Sequence, residues 1–285
     1  MEKVTDKNKW YRAKLGDFFR IKHGFAFKGK FFSDTGPYIL LTPGNFEPNG
    51  GIKLKGDKEK YYTGNFPSEF LLEKGDLLVV MTDLTQNAPI LGSPTFIPES
   101  GKFLHNQRLG KIIDLDTRRL DDLFLYHLLN FPNVRSQIKA SATGATVKHT
   151  APERIYSVDV FIPENTITQQ KIAAFLSTYD DLIENNLRRI RILEEMAQTL
   201  YREWFVKFRF PGHQQVKMVN SPLGKIPEGW EVVKFGDETA FQKGRKPQEV
   251  FPKPAEGMIP HLLIDALRGG VAEYCKQKGM ATITG

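Results

Sequence analysis

The stretch GFAFKGKF, residues 24–31, has the Gly-x4-Gly-Lys spacing with which a loop can cradle phosphates. Such a loop needs Ser or Thr after the lysine to hold Mg²⁺, and Phe31 stands there instead. No strand-to-helix pattern surrounds it, so we read an aromatic-rich turn. Metal chemistry is equally hard to build. The six His are scattered without a His-x3-His pair, and Cys275 is the only cysteine, which leaves no set of thiolates for zinc. No Asp/Glu-x-Lys triplet of the kind many nucleases use occurs, nor an Asn-Pro-Pro or Asp-Pro-Pro to hold a flipped base, nor a Gly-x-Gly-x-x-Gly cofactor loop. His127 sits in an apolar helical pattern and reads as a packing residue. Asp180-Asp181 and Glu194-Glu195 read as the solvated face of a helix. The chain is expected to carry no catalytic group, metal or cofactor of its own.

The bulk numbers set the class. With 285 residues, two domains of ordinary size are expected, and 40% apolar residues including 21 Phe supply a packed core. One cysteine excludes a disulfide framework and suits a reducing cytoplasm. The polar N-terminus has no apolar core of a secretory signal, and no apolar run reaches the roughly 20 residues that span a bilayer, so no membrane partner is expected. A net charge of +7 permits a polyanionic partner without proving one.

The elements follow from pattern. Strand-like runs occur at 37–41 (PYILL), 76–81 (DLLVVM), 108–113 (RLGKII) and 157–163 (SVDVFIP), separated by turn-formers, with a helix predicted over 118–130 and stopped by Pro132. Residues 1–165 thus form one mixed α/β domain. From 166 to 208 there is no Gly or Pro, and Thr168 is the expected N-cap. Leu176, Tyr179, Ile183, Asn186, Ile190, Leu193, Ala197, Leu200 and Trp204 alternate at spacings of three and four, a heptad seam. Forty residues at 1.5 Å each make a rod on the order of 60 Å, which needs a partner along its length unless it lies on its own domain. Asn186 within that seam suggests a partner whose register matters.

The chain also begins the same way twice. WYRAKLGD at 10–17 matches WEVVKFGD at 230–237, so that Trp10 answers Trp230, Gly16-Asp17 answers Gly236-Asp237 and Gly24 answers Gly244. The fold class is therefore α+β: a mixed α/β domain (1–165), a long coiled-coil-forming helix (166–209), a linker (210–229) and the start of a second copy (230–285), which is expected to be incomplete.

The helix QQKIAAFLSTYDDLIENNLRRIRILEEMAQTLYREWF, the junction NSPLGKIPEGWEVVKFGD, and the segments LHNQRLGKI and ATGATVKHTAPERI together resemble the specificity subunit of Type I restriction–modification systems. The resemblance spans essentially the whole chain. It implies a target-recognition domain at 1–165, double-stranded DNA as ligand, and a helical spacer that docks methyltransferase subunits. S-adenosylmethionine would sit on those subunits, and a restriction or motor subunit would complete the complex. With the second copy cut short, the seam is expected to pair with the same helix of a second chain, giving a homodimer.

Under that resemblance, three loops are candidates for DNA contact. Gln86 and Asn87 carry amides that can pair bidentately with adenine; Asn106 and Gln107 offer the same, and Arg108 suits guanine or phosphate. Thr146, Lys148 and His149 follow the flexible Gly144 and suit phosphate or groove contact. Each also has a bland reading, as a turn cap or a buried hydrogen-bonder. Two rival functions stay open: a helical dimerisation scaffold without DNA specificity, and a standalone modification enzyme, which the missing motifs oppose.

Overall fold

In the computed structural model, which describes residues 9–240, 247, 249–264 and 273–276, the chain divides into two units, Met1–Ile192 and Leu193–Gly285. The first unit runs through β1 (Trp10–Lys14), β2 (Arg20–His23), β3 (Phe32–Ser33), β4 (Tyr38–Leu40), β5 (Tyr61–Tyr62), β6 (Leu77–Val80), β7 (Thr82–Asp83), β8 (Pro94–Phe96), β9 (Phe103–Leu104) and β10 (Leu109–Ile113). Helices α1 (Asp122–Asn130) and α2 (Pro132–Ala140), strand β11 (Lys148–His149), helix α3 (Pro152–Tyr156) and strand β12 (Asp159–Pro163) follow, and α4 (Thr166–Tyr201) begins the long helix.

Two four-stranded sheets carry the domain. One has the order β2-β10-β6-β8 and the other β3-β5-β4-β9, the latter closed by the parallel pair β4 and β9. Strand β6 explains its own sequence. A run of four apolar residues without alternation suits a strand buried on both faces. Leu77, Val79 and Met81 enter the core beneath α1 and α2, whereas Leu78 and Val80 enter a second core with Ile39, Phe46 and Phe103. A third cluster packs Phe27, Leu40, Tyr62 and Leu104 against the ring of Phe66 and its neighbours. GFAFKGKF is the aromatic-rich turn expected: it leaves β2, buries Phe27, and ends in one 3-10 turn at Gly29–Phe31.

The domain closes on itself through its ends. Strand β1 pairs antiparallel with β12, from Trp10 opposite Pro163 to Lys14 opposite Asp159, and Trp10 stacks on Phe161 at 5.6 Å. The helix α4 starts two residues before Thr168. Asn165 is its cap, because the Asn165 side-chain oxygen accepts from the Ile167 N–H at 2.8 Å and its backbone carbonyl accepts from Thr168 and Gln169. Gln169, fully buried, then ties the first turn to the domain: its amide donates to Arg119 and Pro163 carbonyls and accepts from the Asp121 N–H. Ala173 is buried one turn later, and His127 meets the Ser177 hydroxyl at 2.9 Å. From Thr178 to Ile192 every residue is exposed, so this stretch of the helix does not pack on the domain from which it starts.

In the second unit the helix passes into a π-turn at Arg202–Val206. The linker contains a hairpin, β13 (Met218–Ser221) with β14 (Gly224–Pro227). One helical turn, α5 (Phe235–Glu238), and the pair β15 (Met258–His261) and β16 (Glu273–Lys276) complete it. The repeat is kept locally but not in packing. Leu15–Asp17 and Phe235–Glu238 both form a tight turn, yet Leu15 is 0% exposed and Phe235 is 68% exposed. Residues 230–234 form no strand, unlike β1. Gly244 lies outside the described residues.

Because Leu78 is fully buried between the sheets, Leu78→Ala is expected to cost about 2–5 kcal/mol in chemical denaturation, while Leu54→Ala on the surface shifts stability by about 0.5 kcal/mol or less.

Candidate nucleic-acid interface

Strand β6 ends at Val80, and the backbone of the next residue, Met81, is where the three polar loops meet. Its N–H donates to the Arg108 carbonyl at 3.0 Å, and its carbonyl accepts from the Thr150 N–H at 2.9 Å. One residue on, β7 pairs antiparallel with β11, placing Thr82 opposite His149 and Asp83 opposite Lys148. The Thr82 hydroxyl and His149 Nδ1 are 3.0 Å apart. Loops at 81–89, 105–108 and 143–150, far apart in the chain, thus converge at the end of one buried strand.

Each loop is braced from beneath. Asp83 is 1% exposed, and its carboxylate accepts from the Thr85 N–H, the Thr85 hydroxyl and the Ile90 N–H at 2.7–2.9 Å. Those bonds fold residues 84–88 into a tight turn, with Ala88 at a φ of 44°, and leave Leu84, Thr85, Gln86 and Asn87 exposed at its tip. Arg135 of α2 reaches under the same turn, donating to the Pro89 carbonyl at 2.6 Å and the Pro48 carbonyl at 3.1 Å. Burial pulls its guanidinium down to about 10, against the favourable charge of Asp83. Neither residue was a candidate from sequence. Asp-x-Thr could have signalled the side-chain-capped turn at Asp83, whereas Arg135 looks like any surface arginine of an amphipathic helix.

At 105–108 adjacent residues have opposite fates. Gln107 and Arg108 are exposed. Asn106 is buried, and its side-chain oxygen accepts from the Arg108 N–H at 3.0 Å, so it shapes the turn and is withdrawn from the contact surface. His105 is fully buried beneath it, with Nε2 3.0 Å from the Leu109 carbonyl, a contact that requires the proton on Nε2. Burial in apolar surroundings pushes His105 down to about 4. In the third loop, Thr143 and His149 exchange both backbone hydrogen bonds, and Gly144 turns between them at a φ of 100°. A Cβ on Gly144 would lie 1.9 Å from the Val147 carbonyl oxygen, so only glycine makes this turn. Thr146 stands exposed at the tip, Lys148 is half-buried beside it, and His149 is exposed.

The convergence yields an edge carrying Gln86, Asn87, Gln107, Arg108, Thr146, Lys148 and His149, held by buried groups. Amides and a guanidinium so placed can exchange paired hydrogen bonds with a planar ligand edge, each pair worth about 1–3 kcal/mol of discrimination when the ligand is a base pair. Among the described residues no group of three or more His, Cys, Asp or Glu could hold a metal ion, and no helix is long and apolar enough to cross a membrane.

Comparison with known proteins now bears on this edge. Residues 7–195, the domain and most of the long helix, match the family model for the Type I restriction modification DNA specificity domain. The chain belongs to that family. It is similar to the Type I restriction enzyme MjaIX specificity subunit of Methanocaldococcus jannaschii, at 34% identity over 52% of this chain and 34% of the relative. It is also similar to the EcoBI specificity subunit of Escherichia coli, at 30% identity over 68% of this chain and 36% of the relative. The match thus spans about a third of the length of these curated relatives. The fold is shared with the crystal structure of a Type I restriction–modification S subunit from M. genitalium, with a TM-score of 0.52 at 20% identity over 72% of this chain and 48% of that one. In this specificity domain the resemblance seen in the sequence and the observed α+β fold agree.

The pH dependence of His105 can be stated with its sign. The unfolded imidazole takes a proton near its ordinary 6.5, whereas the folded one resists until about 4. Stability from this site is therefore complete above 6.5 and declines as pH falls between those values, by up to about 3 kcal/mol. The stability gap between wild type and His105→Gln is expected to narrow by about 2 kcal/mol from pH 7.5 to pH 5 in urea titrations. An unchanged gap would mean that His105 titrates normally.

Proposed function

We propose that this chain is the DNA sequence-recognition subunit of a Type I restriction–modification complex, bringing methyltransferase and restriction subunits to a split DNA site. The observation that carries this reading is the convergence of three polar loops on the end of β6, with their reading groups exposed and their supports buried. Family membership adds the same direction, since the relatives carry the name specificity subunit. The chain would supply the address and its partners the chemistry, S-adenosylmethionine binding on the methyltransferase subunit.

The exposed seam supports a half-length mode of action. Leu176, Tyr179, Ile183, Asn186, Ile190, Leu193, Ala197 and Leu200 are all exposed on α4, with Trp204 half-buried just beyond its end. A closed two-fold pairing of α4 with a second copy would cover that stripe and present two identical recognition domains, hence a palindromic split site. Asn186 would then meet a polar group of the partner helix.

Methylation-motif sequencing of DNA from cells carrying this chain with its methyltransferase subunit tests both parts. A new palindromic split motif, lost when the chain is omitted, is the expected outcome. An asymmetric motif overturns the self-pairing, and no motif overturns the recognition role. The double variant Ile183→Asp, Leu193→Asp changes only exposed side chains, so its domain folds as before. It is expected to halve the mass seen by light scattering and to erase the motif.

A further inference from the structure

The turn at 24–31 is joined to the interface by backbone. The Phe25 N–H donates to the His105 carbonyl at 2.8 Å, and the Gln107 N–H donates to the Phe25 carbonyl at 3.0 Å. The approach is so close that a Cβ on Gly24 would lie 2.1 Å from the Asn106 carbonyl oxygen. The aromatic residues of the turn face inward: Phe27 is buried, 4.7 Å from the Tyr62 ring, and Phe31 sits edge-on to Tyr62 at 5.9 Å. What remains outward is Ala26, Lys28, Gly29 and Lys30, all exposed, with nothing within 4 Å of the place a Gly29 Cβ would take. Lys60 joins them from just before β5, its ammonium 5.8 Å from the ring of Phe32, while that of Lys30 lies 4.9 Å from the ring of Phe31.

These lysines are grouped around the aromatic turn, and like several others of the domain, Lys58 and Lys74 among them, they lack the carboxylate partners that nearby lysines have. Lys22 pairs with Glu69, Lys53 with Glu47, Lys102 with Glu99 and Lys111 with Asp76. Among the described residues Lys28, Lys30 and Lys60 have no carboxylate within ion-pair distance, although Asp34 and Asp57 are close in sequence. Three ammonium groups without carboxylate partners, two of them over aromatic rings, thus put positive charge around a turn whose backbone is hydrogen-bonded to Gln107. An ammonium is a point charge without the paired geometry that tells one base from another, so a strip of lysines suits phosphates and not base edges.

We propose that Lys28, Lys30 and Lys60 grip the DNA phosphate backbone beside the recognised half-site, setting affinity and register without reading sequence. This rests on the DNA-recognition reading above. The test uses the chain purified with its methyltransferase subunit, titrated at several salt concentrations against a duplex carrying its methylation motif and one with the motif scrambled. In the triple variant Lys28→Ala, Lys30→Ala, Lys60→Ala, the slope of log affinity against log salt is expected to fall by about 2–3, near 0.9 for each phosphate that is no longer neutralised. Binding to both duplexes weakens by the same factor, so their ratio holds, and the triple Lys→Arg variant keeps the wild-type slope. Arg108→Ala, in contrast, is expected to change the ratio. A triple alanine variant with the wild-type slope overturns the phosphate strip alone, as does a changed ratio at an unchanged slope. Wild-type complex that binds both duplexes equally, or neither, overturns the recognition reading and the strip with it.

Discussion

Burial of β6 on both faces is the constraint from which the rest of the domain hangs. Alternate residues of Leu77–Met81 belong to different cores, so the strand can neither slip by one residue nor turn over without exchanging two sets of packed neighbours. Each of these side chains contributes about 1.5–3 kcal/mol by leaving water. A strand held this firmly makes its end a fixed point. The domain uses that point for its polar loops, through the two backbone bonds of Met81 and the short pairing of β7 with β11. Loops that must present hydrogen-bonding groups at set positions gain from hanging on the least mobile part of the fold.

The sequence showed the elements better than their meeting. Four apolar runs became strands, the 118–130 pattern became α1, and the long Gly-free stretch became α4, because each follows from local pattern. The convergence was not legible, since the register that sets Thr82 against His149 depends on how the chain returns through α1 and α2. Within the loops, residue type could not separate Asn106 from Gln107: the same amide chemistry serves the turn in one and faces solvent in the other. Arg135 was invisible for the opposite reason, because a buried guanidinium between two proline carbonyls has no sequence pattern.

Helix α4 joins the two kinds of information. Its first turns are anchored by specific polar contacts, Gln169 to three backbone groups and His127 to Ser177. Asp180, 3.8 Å from the His127 ring, adds a further contact to α1, and beyond it the helix presents a broad apolar stripe, since Phe175, Leu182 and Met196 flank the heptad seam on one side. A solvated stripe of that width forgoes burial energy along most of the helix. Thr168 was expected to begin the helix, but Asn165 caps it better, with both its side chain and its carbonyl engaged.

The repeat separates what sequence specifies locally from what only tertiary pairing supplies. Gly-Asp with its neighbours forms a tight turn in both copies, because the turn needs nothing beyond four residues. The strand before it does need something: β1 pairs along its whole length with β12, whereas residues 230–234 form no strand. Trp230 accordingly finds other company, packing against Phe205, Phe208 and Phe210 where Trp10 stacks on Phe161. Val233 and Phe235 stay exposed, whereas Leu15, Phe18 and Phe19 are buried. A domain whose first strand is completed by its last is an all-or-none structure. The same opening sequence therefore makes a paired strand in one setting and an exposed segment outside any strand in the other.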